Sequence, residues 1–257
     1  MNKILPPILL TLLFSPFQLR AESYTFSGGS NNLIQTIAAT ILVKAYERAD
    51  IEIKPVFLNL QQSLHQSNAG ITDGEIARVN AITKFTPNLR KVPVAIMFLD
   101  AVAFSKNSSI KINSWADLRN YKFTIVKGVK FIEVATEQHE RREATSHVEA
   151  LALLQSDKTE IVVTSKIAFV NLMYRKKHNK IKAVSDSLKR LQLYHFVHMK
   201  NSRLIPVITP ILQNMLDSGE IAHIRKAQLI KATKKFSPDE SPERDNGHQL
   251  NLNQIVK

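Results

Sequence analysis

The sequence predicts an α/β protein of two lobes, each a mostly parallel sheet flanked by helices, with two hinge strands joining the lobes. The first supporting observation is that segments with strand and helix periodicity alternate along the chain, which is typical of parallel sheets. The second is that two extended apolar segments, at residues 92–104 and 191–199, flank the second alternating unit. The third is composition, since the 257 residues are 44% hydrophobic and can form sizeable cores.

The composition also excludes several classes of protein. The chain has no cysteine, which excludes disulfide scaffolds, Cys-ligated zinc and iron–sulfur sites, and thiol catalysts. Its formal net charge is +13 at pH 7, but the basic residues are scattered from Lys44 to Lys257 and form no nucleic-acid-binding motif. The charge therefore indicates attraction to anionic ligands, anionic lipid or envelope polymers, and not to nucleic acid.

Residues 1–21 have the features of a secretory signal peptide. The segment begins with a basic residue, Lys3, continues with an apolar stretch too short to cross a bilayer, and ends at the small residue Ala21. A membrane anchor is the alternative, although three prolines interrupt the stretch. The apolar segment at residues 92–104 is also too short to span. We therefore expect cleavage after Ala21 and a periplasmic protein without stable membrane insertion.

The first alternating unit contains three strands and two helices. Their predicted positions are strands at residues 24–26, 51–57 and 73–79, and helices at residues 33–48 and 60–68. The first helix is predicted because apolar residues such as Ile34, Ile37 and Ile41 recur every three to four positions. Pro55 places the second strand at or near a sheet edge, and Gly70 closes the second helix.

The second unit follows the long buried strand predicted at residues 92–104. Its predicted elements are a short helix after Ser114, strands at residues 121–126 and 161–163, helices at residues 131–140, 147–154 and 165–174, and a returning strand at residues 191–199. The short helix is predicted because Ser114 and Asp117 have capping-box spacing. Two further helices are predicted at residues 206–217 and 220–233.

These elements predict the domain organisation. The expected parts are a signal peptide at residues 1–21, a first lobe at residues 22–100 and 197–233, an inserted second lobe at residues 101–196, and a flexible C-terminal tail at residues 234–257. The tail is expected to be loose because prolines and mixed charges follow residue 236.

Four segments, taken in order, carry a resemblance to one family. They are the helix and glycine at residues 58–70, the Asp73-Gly74-Glu75 strand with Arg78 at its end, residues 111–118 before the strand at 123–126, and residues 212–224. This order resembles the bacterial extracellular solute-binding proteins of family 3, the amino-acid type. The resemblance covers residues 23–230. It implies the type II periplasmic binding protein fold, a solute held between two lobes, and delivery to an ABC transporter permease.

Two departures from the family pattern affect the predicted ligand. The segment Thr86-Pro87-Asn88-Leu89-Arg90 is a displaced form of the family's carboxylate-binding Thr-Pro-Glu-Arg segment. The strand at residues 161–163 is followed by Thr164-Ser165-Lys166, where family members carry an acid that pairs with the ligand's α-ammonium. An α-amino acid is therefore not assigned as the ligand.

Candidate binding residues lie where strands end, because ligands of open α/β sheets sit beyond the carboxyl ends of parallel strands. The predicted ligand-binding residues are Ser27, Gly28, Gly29, Ser30, Glu75, Arg78, Lys127, Gly128, Lys130 and Ser165, with Tyr194 on the returning hinge strand. The glycine-rich turn offers backbone N–H groups to an anion, although a turn with a helix N-cap explains it equally well. The turn at residues 127–130 resembles the family's ligand-binding turn in the second lobe, although its two lysines can also be solvated.

Arg78 is the candidate anchor for the ligand. Its planar guanidinium suits bidentate capture of a carboxylate or phosphate. Period-two counting along the strand places Arg78 on the opposite face from Glu75. The alternative role for Arg78 is a structural ion pair with a nearby acid.

Signatures of enzymes, metals and cofactors do not occur in the sequence. It has no nucleophile-elbow, phosphate-loop or His-Glu-x-x-His motif, and His195 and His198 lack the spacing of zinc-binding histidines on a helix. We predict a monomeric, non-enzymatic protein without metal or cofactor that binds a small polar, anionic solute. The alternative is a sensory or envelope-interaction module with the same scaffold and a degenerate pocket.

Overall fold

The computed structural model describes residues 23–30, 32–176 and 180–234. The predicted signal peptide, and the predicted tail apart from its first residue, lie outside the described residues. Within the described ranges, no helix combines the length and hydropathy that a membrane span requires.

Nine strands and seven α-helices make up the described part of the chain. The first half contains β1 (Ser23–Gly29), α1 (Leu33–Glu47), β2 (Glu52–Leu58), α2 (Leu60–Asn68), β3 (Gly74–Val79), β4 (Leu89–Ser105), β5 (Phe123–Val126) and α3 (Lys130–Ala135). The second half contains β6 (Arg142–Ala144), α4 (His147–Gln155), β7 (Ile161–Ser165), α5 (Lys166–Arg175), β8 (Lys182–Ala183), β9 (Lys189–His198), α6 (Leu204–Asp217) and α7 (Glu220–Lys234). Single 3₁₀ turns lie at Asn80–Lys84, Trp115–Asn120 and Met199–Asn201.

The strands form one hydrogen-bonded path through both lobes, in the order β2-β1-β3-β9-β4-β7-β5-β6, with β8 paired to β4. Strand β1 is parallel to β2 and β3, and β5 is parallel to β6 and β7. Strands β4 and β9 are antiparallel to their neighbours. Strand β2 lies at an edge, as Pro55 predicts. The structure therefore confirms the predicted fold class of two α/β lobes joined by hinge strands.

The two hinge strands pair along most of their length. Their register runs from Leu89 opposite His198 to Ala101 opposite Lys189. Strand β4 has 17 residues, so its start lies in the first lobe and its end pairs with β7 in the second. A paired hinge constrains relative motion of the lobes to bending and twisting of two strands.

Helix α1 is the centre of the first lobe's core. It begins at the N-cap Asn32, whose side chain accepts a hydrogen bond from the Ile34 N–H. Its apolar face buries Ile37 and Ile41 completely. Because this face packs against the sheet and against α6, the helix is covered on two sides.

Strand alternation separates the second lobe's core into two layers. Ala101 and Ala103 of β4 belong to one cluster of buried side chains, and Val102 and Phe104 belong to the other. Both layers are buried because helices cover both faces of this sheet. The uninterrupted apolar run in the sequence follows from this two-sided burial.

Three features of the second lobe differ from the predicted elements. Helix α3 ends at Ala135 and not near residue 140, and the short strand β6 follows it. The end of α3 is stabilised by Arg141, whose Nη1 donates to the Glu133 carbonyl and to Thr136 Oγ1, both at 2.9 Å. Strands β6 and β8 were not predicted because segments of three and two residues are too short to show periodicity.

Candidate functional site

A large cleft, with a volume of about 1380 Å³, lies between the two lobes. The carboxyl ends of β1, β3, β5 and β7 meet at it, as expected for an open α/β sheet. Its lining residues are Ser30, Asn32, Leu33, Ile34, Arg78, Val79, Asn80, Ala81, Leu99, Trp115, Gly128, Val129, Lys130, Phe131, Val134, Ala135, Ser146, His147, Val148, Ser165, Ile167, Ala168, Asn171, Leu172, Lys189, Leu191, Gln192 and Tyr194. Both lobes and both hinge strands therefore contribute to one cavity.

Arg78 is fixed in the first-lobe wall by a buried carboxylate. Its Nε donates to Glu75 Oε2 at 2.7 Å, and its Nη2 donates to the Leu60 carbonyl at 2.7 Å. Glu75 is fully buried and also accepts hydrogen bonds from Ser63 Oγ at 2.7 Å and Ser67 Oγ at 3.0 Å. Among the described residues, Nη1 of Arg78 has no hydrogen-bond partner. The guanidinium is thus held in place with one nitrogen left to bind a ligand.

A β-bulge explains why Arg78 and Glu75 meet. Glu75 lies opposite Phe196 of β9, whereas Arg78 lies opposite Tyr194, so three steps on β3 correspond to two on β9. The extra residue rotates the end of β3. The prediction that Arg78 and Glu75 occupy opposite faces is therefore wrong, and the structural ion pair is present.

An internal carboxylate occupies the predicted anion-binding turn of the second lobe. Glu133 accepts a hydrogen bond from the Gly128 N–H and pairs with Lys130 Nζ at 2.7 Å. The Lys130 ammonium and the Gly128 N–H hold the pKa of Glu133 below its usual range. The Lys127 N–H donates to the Ala144 carbonyl at 2.8 Å. The Val129 N–H donates to the Val126 carbonyl, so three backbone donors of the turn at residues 127–130 are already used.

The end of β7 places uncharged polar groups in the second-lobe wall. Ser165 is 7% exposed, and neither its Oγ nor the buried Oδ1 of Asn171 has a hydrogen-bond partner among the described residues. Thr164 Oγ1 lies 3.0 Å from His147 Nε2. Burial lowers the pKa of His147, so this imidazole is neutral at pH 7. This wall can exchange hydrogen bonds with a ligand but carries no negative charge.

The hinge forms the floor of the cleft and adds a cation. The Tyr194 hydroxyl donates to Gln192 Oε1, and Lys91 Nζ lies 4.6 Å from the centre of the Tyr194 ring. Lys189, at the start of β9, is exposed and has no acidic partner among the described residues. The floor therefore combines hydroxyl and amide groups with one unpaired ammonium.

The charged side chains among the described residues that line the cleft are all cations. Arg78, Lys130 and Lys189 line the cleft, and no Asp or Glu occurs among the described residues that do so. More than half of the lining residues have apolar side chains. The cavity thus offers positive charge on a mostly apolar surface.

The structure brings six of the predicted binding residues to the cleft and places five elsewhere. The six are Ser30, Arg78, Gly128, Lys130, Ser165 and Tyr194. The other five, which do not line it, are Ser27, Gly28, Gly29, Glu75 and Lys127. Participation of these residues in ligand binding remains a prediction.

Residues 27–29 belong to β1, so the predicted glycine-rich turn at these positions is wrong, and they have a packing role inside the first lobe. Ser27 is fully buried, and its Oγ lies 3.0 Å from Thr72 Oγ1. A Cβ at Gly28 would lie 2.6 Å from Gln35 Oε1, and a Cβ at Gly29 would also be too close to its neighbours. A side chain at Gly28 or Gly29 would displace Gln35 of α1 or Leu60 of α2, which pack closely on β1.

Several cleft residues escaped prediction from the sequence. His147, Asn171 and Trp115 lie in helices and have no local pattern that distinguishes them from surface or packing residues. Lys189 was detectable in principle, because it is a cation two residues before a predicted hinge strand. No group of three or more His, Asp or Glu side chains suited to a metal ion occurs within the described ranges.

Sequence comparison yields a distant relative. No family model matches the chain. An uncharacterized protein of Shewanella oneidensis is 22% identical over 159 residues, which are 59% of this chain and 60% of that protein. The chain therefore matches about three fifths of this relative's length.

Structure comparison shows the fold. The ligand-binding core of GluR0 in complex with L-glutamate superposes with a TM-score of 0.65 at 15% identity, over 82% of this chain and 99% of that one. A histidine kinase sensor domain similar to periplasmic binding proteins has a TM-score of 0.61 at 13% identity, over 82% and 97%. The open second substrate-binding domain of GlnP from Lactococcus lactis has a TM-score of 0.60 at 13% identity, over 86% and 98%. The chain shares the two-lobed fold of periplasmic binding proteins.

Proposed function

We propose that the protein is a periplasmic solute-binding protein of the family 3 type, which captures a small anionic solute between its lobes for delivery to an ABC transporter. The observation that carries the proposal is the fixed guanidinium of Arg78 in a cleft lined by both lobes, where no described residue contributes a carboxylate side chain. Such a guanidinium suits an anionic group that enters the cleft. The shared fold and the solute-binding neighbours support the same function.

Binding is proposed to act through a population shift between open and closed lobes. A solute that contacts Arg78 in one lobe and Ser165 in the other stabilises the closed state by its differential contacts. The paired strands β4 and β9 supply the bending element. A closed form of defined shape is what a membrane permease can recognise.

Native mass spectrometry of protein purified from the periplasm tests this proposal. We expect a retained small molecule, or binding from a metabolite extract, together with a decrease in the radius of gyration in solution scattering. The double variant Glu75→Gln/Arg78→Gln is expected to lose binding. It removes both charges together and so leaves no unpaired buried charge. Arg119→Gln, on the exposed 3₁₀ turn at Trp115–Asn120, is the matched control. A chain that binds nothing from broad extracts and does not compact contradicts the proposal.

A sensory module is the second candidate function. The likeness to a histidine kinase sensor domain supports it, as does the internal carboxylate of Glu133 at the second-lobe turn. Because the chain has no cysteine, a single introduced cysteine at an exposed lobe surface allows site-specific crosslinking in living cells. Capture of a transporter permease supports delivery, whereas capture of a membrane kinase supports sensing.

A further inference from the structure

We infer that the solute is a carboxylate with an apolar body and without an ammonium group. This inference rests on the proposed function and adds the chemical class of the solute to it. Three properties of the cleft carry it: the apolar area of its walls, the distribution of its charges, and its size.

Apolar side chains dominate both walls of the cleft. Leu33 and Ile34 line it from the first lobe, and Phe131 and Leu172 line it from the second. Val134 and Val148 also line it and are 66% and 56% exposed. A ligand with an apolar body would remove these side chains from water, and this burial favours binding.

The charges in the cleft match an anion and not a zwitterion. No carboxylate lines the cleft among the described residues, so an ammonium group would be desolvated without an ionic partner. Two acids whose side chains bond to cleft-lining residues are already committed: Glu75 to Arg78, Ser63 and Ser67, and Glu133 to Gly128 and Lys130. A carboxylate, by contrast, would have Arg78 Nη1 and the unpaired Lys189 available.

The uncharged polar groups and the size of the cleft indicate further properties of the solute. The unpartnered Ser165 Oγ and Asn171 Oδ1 are neutral and suit a hydroxyl or amide group of the ligand. The volume of about 1380 Å³ exceeds the range of about 300–1,000 Å³ that is usual for small-molecule pockets. The cleft therefore has room for a body larger than an amino-acid side chain.

Fluorescence of Trp115 reports on binding directly, because it is the single tryptophan of the chain and lines the cleft. The mature protein would be titrated with 3-phenylpropanoate, with L-phenylalanine, which adds only the ammonium group, and with 3-phenylpropan-1-ol, which lacks the carboxylate. Octanoate replaces the aromatic body by an aliphatic one. We expect 3-phenylpropanoate, octanoate or both to bind at least about tenfold more tightly than L-phenylalanine and the alcohol.

Two pairs of exposed variants test the charge argument without disturbing the core. Lys189→Gln is expected to weaken carboxylate binding by about threefold and to leave binding of the alcohol unchanged. Lys182→Gln on β8, an equal charge change outside the cleft lining, is its control.

Val148→Asp adds an acid to the wall of the cleft. This variant is expected to bind L-phenylalanine more tightly than 3-phenylpropanoate, whereas Val148→Asn is expected to keep the preference for 3-phenylpropanoate.

Mass spectrometry of the same protein after incubation with a metabolite extract separates failure of this inference from failure of the proposed function. If L-phenylalanine binds as tightly as 3-phenylpropanoate, the ligand class is wrong and the proposed function stands. If no probe binds, a retained apolar carboxylate supports the class, and any other retained solute overturns it. If no probe and no extracted solute bind, both the inference and the proposed function fail.

Discussion

A buried glutamate and a partly exposed arginine form the central residue pair of the first lobe. Glu75 is fully buried with four hydrogen bonds to its carboxylate, and Arg78 is 13% exposed. A buried charge is tolerated only when it is paired and hydrogen-bonded, so Ser63 and Ser67 are part of the same unit. The consequence is an arginine whose position is determined before any ligand arrives, which reduces the entropy lost on binding.

His195 is a second fully buried polar residue, with a defined tautomer. Its Nδ1 lies 2.7 Å from the Glu75 carbonyl oxygen, an acceptor, so Nδ1 carries the proton. Its Nε2 then accepts from the Tyr46 hydroxyl at 3.0 Å, and burial raises the pKa of Tyr46, so that hydroxyl stays protonated. Desolvation lowers the pKa of His195 to about 4. The pair connects α1 to the hinge strand β9.

We expect His195 to make the protein less stable in mild acid. The unfolded chain takes up a proton near pH 6.5, whereas the folded chain does so only near pH 4. The contribution of His195 to stability is therefore complete above pH 6.5. It decreases as the pH falls from 6.5 to 4, by about 3 kcal/mol in total. Urea denaturation between pH 7 and pH 4.5 measures the decrease.

His195→Gln is expected to lose most of this pH dependence, although it lowers stability at pH 7. His65→Gln is the control, because His65 is an exposed histidine on α2. Carboxylates with lowered pKa values, such as Glu133, contribute equally to wild type and variant. Equal slopes of stability against pH for wild type and His195→Gln would contradict the assignment.

At the scale of elements, the turn between β5 and α3 is occupied by its own helix. Glu133 lies in the first turn of α3 and binds the Gly128 N–H and Lys130. It would therefore compete with a ligand carboxylate for this turn.

Glu133→Gln is expected to raise the affinity for 3-phenylpropanoate by about threefold, because it removes one negative charge beside the cleft while keeping a similar side-chain shape. The Trp115 fluorescence titration measures the change. Glu137→Gln, an exposed acid a few residues further along the chain, is the matched control. An unchanged affinity would show that the ligand does not approach the turn at residues 127–130.

The start of β3 requires a glycine because its backbone lies in close contact with β9. A Cβ at Gly74 would lie 2.1 Å from the Phe196 carbonyl oxygen, a backbone atom that cannot move away alone. Gly74→Ala is expected to lower the free energy of unfolding by about 3 kcal/mol. Gly219→Ala, between α6 and α7, meets no atom within 4 Å and has a φ of +76°, so a loss of about 1 kcal/mol is expected from backbone strain alone. Urea denaturation distinguishes the two, and equal losses would refute the steric explanation.

At the scale of the whole molecule, helix α5 contacts both lobes. Phe169 and Met173 pack in a core cluster of the second lobe, whereas Ile167 packs against the first lobe's core. The helix also contacts α1 and α7. Because α5 begins directly after Ser165, the same helix connects the cleft wall to the surface between the lobes.

We expect Ile167→Ala to favour the open arrangement of the lobes. The variant removes apolar contact between lobes and also shortens a side chain that lines the cleft, so binding of 3-phenylpropanoate is expected to weaken by about fivefold. Solution scattering is expected to show a larger radius of gyration. Val170→Ala is the control, because Val170 packs within the second lobe. If both variants change affinity and radius equally, the contact between lobes does not govern closure.

The architecture followed from local patterns, whereas the chemistry of the cleft did not. Periodicity and Pro55 predicted the alternating elements, the edge position of β2 and the two hinge strands, because burial on one or two faces determines which residue types a segment carries. The cleft at the carboxyl ends of the parallel strands follows from a different rule, the position of ligands in open α/β sheets. The shortened α3 and the strands β6 and β8 were missed, since they depend on contacts with residues elsewhere in the chain.

The sequence by itself determined an α/β protein with two lobes, a hinge, and cations at the ends of its strands. Only the tertiary structure decided which of these residues share the cleft. The bulge of β3 against β9 turned Arg78 onto Glu75, and the fold of α3 brought Glu133 to Gly128. The physical reason is that side-chain direction at a bulge or a turn is determined by hydrogen bonds to distant partners, which periodicity along the chain does not report.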